Sequence, residues 1–594
     1  MKKYITCLLA ALCCTLALAV PARRGFITYT QPDGTKIALQ LHGDEFCHWL
    51  TDAGGQVYEQ ADDGFYRPAD AATLQQRRDA ARIRRSAANA ARRRIRTKSG
   101  DPVALGRKHF LVILVQFKNE TFQSSTPNQD FNDLLNLQGY SVNGGTGSAR
   151  DFYYENSGGA FEPIFDVYGP VTLNYEVAHY GGNDASGNDK APEEAVIEGC
   201  RALDSEIDFS QYDNDGDGDV DLVFMYYNGR GEADGGAKNT IWPHQWAIYD
   251  GAGQTVTLDG KRLNSYACTN EIVSHGAQAG KMCGIGTACH EFGHAMGLPD
   301  FYDTDYDDHN GEAGGLYDYS LMCGGSYNNE GRTPPYFNIE ERIMLGWLDR
   351  SVIRSFPKSG TYTLPGINDN VAYMTPTDMD GEYFVYECRN ETGWDAYLPE
   401  PGLIVYHVDR SSRNVSIYNY SSGRNINVSA QNLWDQWETY NCINENGSHP
   451  CFYVVPAGAQ SNLNYSGDRF AFPGSAGKSS FTAKSWNGVD SDFPLTQISY
   501  ADNCVSLYAS VPSAELEYSV IANPGNGTYH SGDSFNLTLE EAEARPVSAV
   551  LWYFDDEPVS GDAVTLTAGS HVIEAHLTLA DGSTQIVTLQ ITVE

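Results

Sequence analysis

Two histidines and a glutamate stand close together near the middle of the chain, in the pattern His290-Glu291-x-x-His294. Residues four apart share one face of a helix, so both imidazoles can reach one metal ion. Neutral imidazole suits Zn²⁺, and two such ligands leave room for a third ligand and a water. The Glu291 carboxylate can take a proton from that water. The pattern therefore predicts a hydrolytic zinc site.

The residues that follow this motif predict where a third ligand comes from. Gly297 can adopt the left-handed conformation that ends a helix, and Pro299 cannot continue one. The chain then folds back and offers Asp300, whose carboxylate oxygen is an acceptable zinc ligand. Three other residues offer polar alternatives, namely Asp303, Glu312 and His244. For a lone histidine such as His244 a structural role is the expectation.

A second set of carboxylates lies on alternate residues of one short segment: Asp213, Asp215, Asp217, Asp219 and Asp221. Such spacing lets a tight loop wrap several oxygens around one hard cation, and Gly218 supplies the turn. An EF-hand would need a glutamate where Phe224 stands, so this is not an EF-hand. Five aspartates at this density repel one another without a cation. The segment therefore predicts a structural calcium site, against the alternative of a solvated acidic turn.

The elements that must position these residues follow an α/β pattern over residues 106–350. Buried-strand runs at 110–115 and 221–226 alternate with helical segments, one of which carries His290. Beyond residue 350 short apolar strands separated by turns predict a β-sandwich at 351–510. Alternation at 563–567 and Trp552 predict an immunoglobulin-like sandwich at 511–594. At 594 residues the chain is long enough for several such domains.

The N-terminus has the pattern of an export signal followed by a separate small domain. Two lysines precede an apolar stretch that ends at small residues, which predicts a signal peptide at residues 1–20 and a secreted or cell-surface protein. No later stretch is apolar enough to predict a transmembrane segment. Residues 21–105 combine short strands with a helix-forming basic stretch, and we interpret them as one small domain.

Charge is distributed very unevenly along the chain. The formal net charge is −37, and residues 77–98 contain ten Arg or Lys against one acid, or +9, so the remainder carries −46. An acidic protein repels nucleic acid and anionic membranes, so we expect neither to be a binding partner. In an exported acidic protein the basic stretch is interpreted as a linker that trypsin-like proteases can cut.

Several segments resemble one protein family, the immune inhibitor A family of secreted bacterial metallopeptidases, which are relatives of the metzincins. The similar segments are the zinc motif through Asp300, the Ser-x-Met turn at 320–322, and residues 147–152, 165–171 and 401–409. The resemblance implies endopeptidase activity, a removable propeptide and a β-sandwich after the catalytic domain. It also implies that His290 and His294 are metal ligands, Glu291 is the general base and Met322 forms a floor beneath the metal. Many metzincins have a third histidine where this chain has Asp300.

Together these features predict an exported zinc endopeptidase that acts on protein or peptide substrates and is made as a latent zymogen. A metzincin-like α/β catalytic domain would follow the propeptide and precede the two β domains. Asp44 and Cys47 are candidates for the propeptide ligand that displaces the zinc-bound water. The alternative is a surface adhesion or substrate-binding protein with a decayed site. Zinc content and casein hydrolysis distinguish the two.

Overall fold

The computed structural model of the chain describes residues 17–18, 20–61, 63–70, 72–81, 104–184, 187–306, 311–419, 422, 424–458, 469–511, 519–521, 528–540, 547–579 and 584–594. The chain divides into two compact units, residues 1–511 and 512–594. Most of the predicted signal peptide and the basic stretch from residue 82 onward lie outside the described residues.

The N-terminal region, residues 20–81, is a small antiparallel sheet followed by a helix. Five strands pair in sequence order, as the turn signals at residues 32–34 and 53–55 predict. They are β2 (Phe26–Thr30), β3 (Lys36–Gly43), β4 (His48–Thr51), β5 (Val57–Gln60) and β6 (Tyr66–Pro68), and helix α1 spans residues 72–81. Strand β1 (Ala17–Leu18) precedes them and belongs to a different sheet.

A mixed six-stranded sheet forms the centre of the molecule, in the order β1-β11-β14-β10-β7-β8. Its strands and those of a smaller sheet beside it are β7 (Gly106–Gln116), β8 (Phe161–Thr172), β9 (Asp219–Val220), β10 (Val223–Arg230), β11 (His244–Ala247), β12 (Val256–Leu258), β13 (Lys261–Leu263) and β14 (Ser265–Ile272). Strands β8, β7, β10 and β14 are parallel, with β8 at one edge, whereas β11 and β1 pair antiparallel at the other edge.

The apolar runs predicted as buried strands lie in β7 and β10, and this prediction is confirmed. Side chains from Phe110 to Val115 are almost completely buried, because apolar clusters cover both faces of the sheet. Phe46, Leu74 and Ala81 of the N-terminal region belong to the cluster on one of these faces. The N-terminal region therefore packs directly on the central sheet.

The helices around the central sheet are short, and the one that carries the zinc motif is α7. They are α2 (Pro127–Asn136), α3 (Ala149–Asn156), α4 (Val177–Tyr180), α5 (Pro192–Ala202), α6 (Ile248–Ala252), α7 (Gly286–Met296) and α8 (Ile339–Met344). Phe292 of α7 makes edge-to-face contacts with Phe110 and Tyr153. These contacts fix α7 on the sheet, so the opposite face of the helix is available for chemistry.

Two further sheets and a hairpin follow, with two helices of a single turn or slightly more. The elements are β15 (Ile353–Ser355), β16 (Gly360–Leu364), β17 (Ala372–Pro376), β18 (Glu382–Arg389), β19 (Gly402–Asp409), β20 (Asn414–Asn419), β21 (Arg424–Ser429), α9 (Ala430–Asp435), α10 (Trp437–Tyr440), β22 (Phe452–Val454), β23 (Leu495–Ala501) and β24 (Cys504–Ala509). The five-stranded sheet β15-β17-β18-β19-β22 packs with the three-stranded sheet β16-β24-β23 around a core that includes Tyr386 and Val505.

The other face of the five-stranded sheet shares its core with the α7 region. Ile404 and Tyr406 of β19 belong to the same apolar cluster as Phe292 and Met322. Arg389 of β18 is fully buried and donates hydrogen bonds to the carbonyl oxygens of Tyr319 and Tyr336. The described residues between 104 and 511 therefore share one packed body.

Residues 512–594 form the second unit, which is built of antiparallel strands. The strands are β25 (Ser519–Ile521), β26 (Ser534–Asn536), β27 (Thr538–Glu540), β28 (Val547–Phe554), β29 (Glu557–Val559), β30 (Ala563–Thr565), β31 (Gly569–Leu579) and β32 (Thr584–Val593). The largest sheet has the order β29-β28-β31-β32 and covers a core of its own that includes Phe535 and Ile573.

The chain as a whole is a β-rich, multi-sheet protein with few helices, consistent with a multidomain protein. Within the described ranges, none of the helices combines the length and the apolar character needed to span a lipid bilayer.

Candidate metal centre

Helix α7 brings the two predicted histidine ligands together. His290 and His294 are buried, and their Nε2 atoms lie 3.1 Å apart on one face of the helix. The Nδ1 atom of His290 lies 2.8 Å from the carbonyl oxygen of Leu321, and that of His294 lies 2.8 Å from the carbonyl oxygen of Leu298. A carbonyl oxygen only accepts, so each Nδ1 donates and each Nε2 keeps its lone pair. Both rings are therefore held in the tautomer and orientation that bind a metal.

The reversal of the chain after α7 places a carboxylate against the same two nitrogens. Gly297 has a φ of 110° and ends the helix as predicted. Asp300 Oδ1 then lies 3.4 Å from His290 Nε2 and 3.3 Å from His294 Nε2. The other oxygen of Asp300, Oδ2, accepts a 2.8 Å hydrogen bond from Nδ2 of Asn441. The backbone N–H of Asp300 donates to Oδ1 of Asn441 at 3.1 Å.

This trio has the chemistry of a metal site. One ligand atom from each of His290, His294 and Asp300 lies within 4.8 Å of the others, and all three residues are buried. Among the described residues, no hydrogen-bond donor satisfies Asp300 Oδ1, the atom that faces both histidines. An orphaned buried carboxylate oxygen beside two available imidazole lone pairs is what a bound cation would satisfy. Two imidazoles and one carboxylate leave a fourth tetrahedral position for water or substrate.

Glu291 lies next to this trio and is completely buried. Its Oε1 accepts a 2.9 Å hydrogen bond from the backbone N–H of Val20, and no described residue satisfies its Oε2. Burial raises the pKa of Glu291 well above its ordinary value, and the charge of Asp300 adds to the increase. Burial also acts to raise the pKa of Asp300, but His294 and His290 outweigh it, so that pKa lies below its usual range.

Met322 lies directly beneath the helix that carries both histidines. It is fully buried, and a Cβ built on Gly293 would lie only 2.7 Å from its Sδ. The backbone carbonyl of Met322 accepts a 2.9 Å hydrogen bond from the N–H of Phe301, and its N–H donates to Ser320 Oγ at 3.0 Å. Glycine at 293 thus permits the close approach of the methionine turn to α7.

The three alternative ligands lie outside the trio. Asp303 accepts hydrogen bonds from the backbone N–H groups of Asp305 and Ala313. His244 bonds through Nδ1 to the carbonyl of Trp242 at 2.6 Å, and its Nε2 lies 2.8 Å from the hydroxyl of Tyr266. Burial lowers the pKa of His244 to about 4, so it is neutral and structural. Glu312 is not a member of the metal-ligating group either.

The acidic loop is brought together only in part. Asp213, Asp215 and Asp221 form a second group whose carboxylate oxygens lie within 4.8 Å of one another. Asp217 and Asp219 are not in this group, and Asp219 pairs instead with Arg262. Lys261 Nζ lies 2.5 Å from Asp213 Oδ2, whereas no described residue satisfies the buried Asp213 Oδ1. Of the five predicted calcium ligands, three therefore lie in this group.

Asp44 and Cys47, the two predicted inhibitory ligands, lie outside the group of His290, His294 and Asp300, and their inhibitory role stays a prediction. Asp44 Oδ1 accepts hydrogen bonds from the backbone N–H groups of Phe46 and Cys47, and Oδ2 accepts one from the hydroxyl of Tyr306 at 3.3 Å. Asp44 therefore shapes its own turn. Cys47 is buried in the apolar cluster on the central sheet, and neither residue belongs to the metal-ligating group. The contact with the site comes instead from the backbone of Val20.

Sequence reasoning did not identify Val20 or Asn441. Asn441 lies 141 positions after Asp300, and only folding of the α9–α10 region brings it to the site. Val20 is a backbone donor in a segment assigned to export, and nothing in its side chain indicates a contact with Glu291. For comparison, Cys442 and Cys451, two cysteines close in sequence, form no disulfide with each other.

Comparisons with known proteins agree with this geometry. A family model described as the immune inhibitor A peptidase M6 catalytic domain matches residues 112–342. Immune inhibitor A of Bacillus thuringiensis subsp. alesti is 31% identical over 222 residues, which are 32% of this chain and 31% of that protein. Pre-pro-metalloprotease PrtV of Vibrio cholerae is 27% identical over 235 residues, 34% of this chain and 24% of that protein. The match thus spans about a third or less of each relative's length.

A solved structure, wild-type OgpA from Akkermansia muciniphila, aligns with 83% of this chain and 96% of its own, at 10% identity and a TM-score of 0.24.

Proposed function

We propose that this chain, which belongs to the immune inhibitor A family of M6 peptidases through residues 112–342, is a zinc-dependent endopeptidase that hydrolyses peptide bonds in proteins. The observation that carries the proposal is the buried group of His290, His294 and Asp300 beside Glu291, whose Oε1 faces a backbone N–H. In this proposal the first three residues hold the zinc ion, and Met322 supports α7 from below.

Each residue of the site has a distinct task in hydrolysis. A bound zinc ion would lower the pKa of a coordinated water and polarise the scissile carbonyl. Glu291 takes the proton from the attacking water and delivers it to the amide nitrogen as the C–N bond breaks. Its Oε1 is suited to that delivery, because it already lies 2.9 Å from a peptide nitrogen, that of Val20. Asn441 holds Asp300 so that its Oδ1 remains directed at the histidines.

Metal depletion tests this function. We expect the protein treated to remove its N-terminal region to hydrolyse casein, to lose that activity on zinc chelation and to regain it when one equivalent of zinc is restored. Elemental analysis should give one zinc per chain. Casein hydrolysis that persists in metal-free protein would contradict the proposal.

We also propose that the full chain is a latent zymogen. Residues 21–24, which remain after loss of the proposed signal peptide, lie along the site: the carbonyl of Pro21 accepts a hydrogen bond from the hydroxyl of Tyr327, and the N–H of Arg23 donates to the carbonyl of Ala233. A peptide substrate needs the same space. Cleavage between about Arg77 and Arg107 by a trypsin-like protease would free the site. Equal rates of casein hydrolysis by cut and uncut protein would exclude latency.

The domain and export assignments complete the proposal. Residues 1–20 are proposed as the signal peptide of a secreted or cell-surface protein, and 21–105 as the propeptide. Residues 106–350 would form the metzincin-like catalytic domain, with 351–510 the β-sandwich and 511–594 the immunoglobulin-like domain. The helix α7 over the Met322 turn supports the first of these folds, and the antiparallel sheet β29-β28-β31-β32 supports the last.

We further propose one structural calcium ion, bound by Asp213, Asp215 and Asp221. Their clustered carboxylates and the orphaned, buried Oδ1 of Asp213 support it. Burial raises the pKa of Asp221 to about 7, which reflects the cost of keeping its charge there without a cation.

A further inference from the structure

Residues 20–24, here called the cleft segment, are held along the site by contacts to their main chain. The N–H of Val20 donates to Glu291, and its carbonyl accepts a 3.2 Å hydrogen bond from Nε1 of Trp242. The carbonyl of Pro21 accepts a 2.8 Å hydrogen bond from the hydroxyl of Tyr327. Two residues further, the N–H of Arg23 donates to the carbonyl of Ala233 at 3.0 Å. Main-chain contacts of this kind do not depend on the sequence of the segment, so another peptide can use them.

The nitrogen of Val20 marks where a substrate amide can face Glu291. In a peptidase that activates a water molecule, the general base finally delivers the proton to the nitrogen of the scissile amide. That position, facing Glu291 Oε1, is taken by the nitrogen of Val20. Earlier in the chain, β1 pairs antiparallel with β11, with Ala17 opposite Trp246 and Leu18 opposite Gln245. Val20 therefore stands where the first residue after the scissile bond would stand.

We propose that Trp242 and Tyr327 bind the substrate main chain on the carboxyl-terminal side of the scissile bond, and that the enzyme prefers a small aliphatic residue directly after that bond. This inference rests on the proposed peptidase function and adds its substrate class. It assigns the carbonyl of the first residue after the bond to Trp242 and that of the second residue to Tyr327.

The surroundings of the Val20 side chain set the preference. Val20 is completely buried in an apolar cluster that includes Ala233 and Trp242, and Tyr327 packs against the same cluster. A charged side chain in that position would lose its hydration without gaining a partner from these groups. Aliphatic side chains gain from contact with Ala233, Trp242 and Tyr327, which remain in place when the N-terminal region is removed.

Trp242 is covered in this structure by the N-terminal region. The imidazole of His48 stacks on its ring at 4.7 Å between centroids, and His48 also lies 3.3 Å from Glu232. Residues Ile27, Leu39 and Leu41 complete the apolar cluster around Val20. Removal of the N-terminal region would expose Trp242 together with the pocket, which is what a substrate-binding residue of a zymogen requires.

Further along the cleft segment, both arginines meet acidic side chains. Arg23 donates through Nη1 to the carbonyl of His275 at 2.7 Å, and its Nη2 lies 3.9 Å from Glu330. Arg24 lies 3.5 Å from Asp318 and over the ring of Tyr317. Basic residues in the fourth and fifth positions after the scissile bond should therefore aid binding.

A peptide with the sequence of residues 17–24, Ala-Leu-Ala-Val-Pro-Ala-Arg-Arg, tests the inference when it carries a fluorophore and a quencher. The enzyme is the full-length protein loaded with zinc and activated by limited trypsin treatment. We expect cleavage at the Ala–Val bond. Aspartate in place of the valine should lower kcat/KM at least tenfold, and two glutamates in place of the arginines should lower it severalfold.

Two variants test the assigned donors. Trp242→Phe and Tyr327→Phe each remove one donor and keep an aromatic ring, and each should lower kcat/KM for the valine peptide about fivefold or more. Trp347→Phe is the matched control, because Trp347 also donates to a buried carbonyl, that of Ala104 at 2.8 Å, away from the cleft. It should keep wild-type kinetics, with its melting temperature measured to check folding.

The possible failures are distinguishable. An enzyme that hydrolyses casein but cleaves the valine and aspartate peptides equally well would overturn the inference and leave the peptidase function intact. Equal activity of the Trp242→Phe and Trp347→Phe variants would overturn the assignment of Trp242. No hydrolysis of casein or peptide by zinc-loaded, trypsin-treated protein would reject the peptidase function itself, and the inference with it.

Discussion

Glu291 is the residue whose replacement should separate metal binding from catalysis. Glu291→Gln keeps the size of the side chain but removes its ability to accept a proton, and it leaves the three metal-ligating residues untouched. We expect zinc content to stay at the wild-type level while casein hydrolysis falls by on the order of 10²- to 10⁴-fold. Elemental analysis and a casein assay on the same preparation measure both. Substantial activity in the zinc-loaded variant would exclude Glu291 as the base.

Asn441 should affect the affinity for zinc although it is not a proposed zinc ligand. Asn441→Ala removes both hydrogen bonds that orient Asp300, so we expect zinc affinity to fall about 10- to 100-fold. Competition with a fluorescent zinc chelator measures this. Asn446→Ala is a suitable control, since Asn446 donates to the carbonyl of Ser416 and lies in the same region of the chain. Equal zinc affinities in the two variants would mean that Asp300 needs no support.

The histidines could be predicted from the sequence because a helix repeats every 3.6 residues, and that repeat is a local property. Asp300 could be predicted because a glycine and a proline force the reversal that follows α7. Asn441, Trp242 and Tyr327 could not, because long-range packing brings them to the site.

At the scale of elements, the apolar runs predicted the buried strands within β7 and β10, and the spacing of the motif predicted the helix that carries it. It did not predict that the last strand of the central sheet is β1, from the far N-terminus. A strand of two residues, Ala17 and Leu18, is too short to show a periodic pattern, and it forms because β11 offers backbone groups for pairing.

The acidic loop before β10 gives a prediction at this scale. If Asp213, Asp215 and Asp221 bind calcium, a calcium-selective chelator should lower the melting temperature while zinc content stays constant. A ligand present at 100 times its Kd stabilises the folded state by about 2.7 kcal/mol. Asp215→Asn should abolish this calcium-dependent shift. The matched variant Asp217→Asn should keep the calcium-dependent shift, because Asp217 is outside the group. A melting temperature that does not change with calcium in the wild-type protein would contradict the proposal.

At the scale of the whole molecule, the two compact units should differ in how much the site needs them. A chain that ends at Val511 keeps every contact described around α7, so we expect zinc binding and casein hydrolysis close to wild type. A chain that ends at residue 350 loses Asn441 and the buried Arg389, with its 2.6 Å contact to Asp395. It would also expose the shared core, and we expect it to be insoluble or free of zinc. Expression, zinc content and casein assays on both truncations check this.

The attachment of the cleft segment to the rest of the chain has a consequence for how activity appears over time. While the chain is intact, the N-terminal region that holds residues 21–24 along the cleft is tethered there at an effective concentration on the order of millimolar. A cut in the basic stretch does not remove the segment. It turns a tethered occupant into a separate ligand of about 80 residues, still anchored on the central sheet through Phe46, Leu74 and Ala81.

Dilution, rather than the cut itself, should then govern the onset of activity. We expect freshly cut protein to remain largely inactive at high concentration and to gain specific activity as it is diluted below the dissociation constant of the two pieces. Specific activity measured across a dilution series, with uncut protein alongside, checks this; a value independent of concentration would mean that the pieces separate as soon as they are cut. If the protein is secreted, its specific activity would therefore rise as it is diluted away from the cell that made it, and it would remain low where the protein is concentrated.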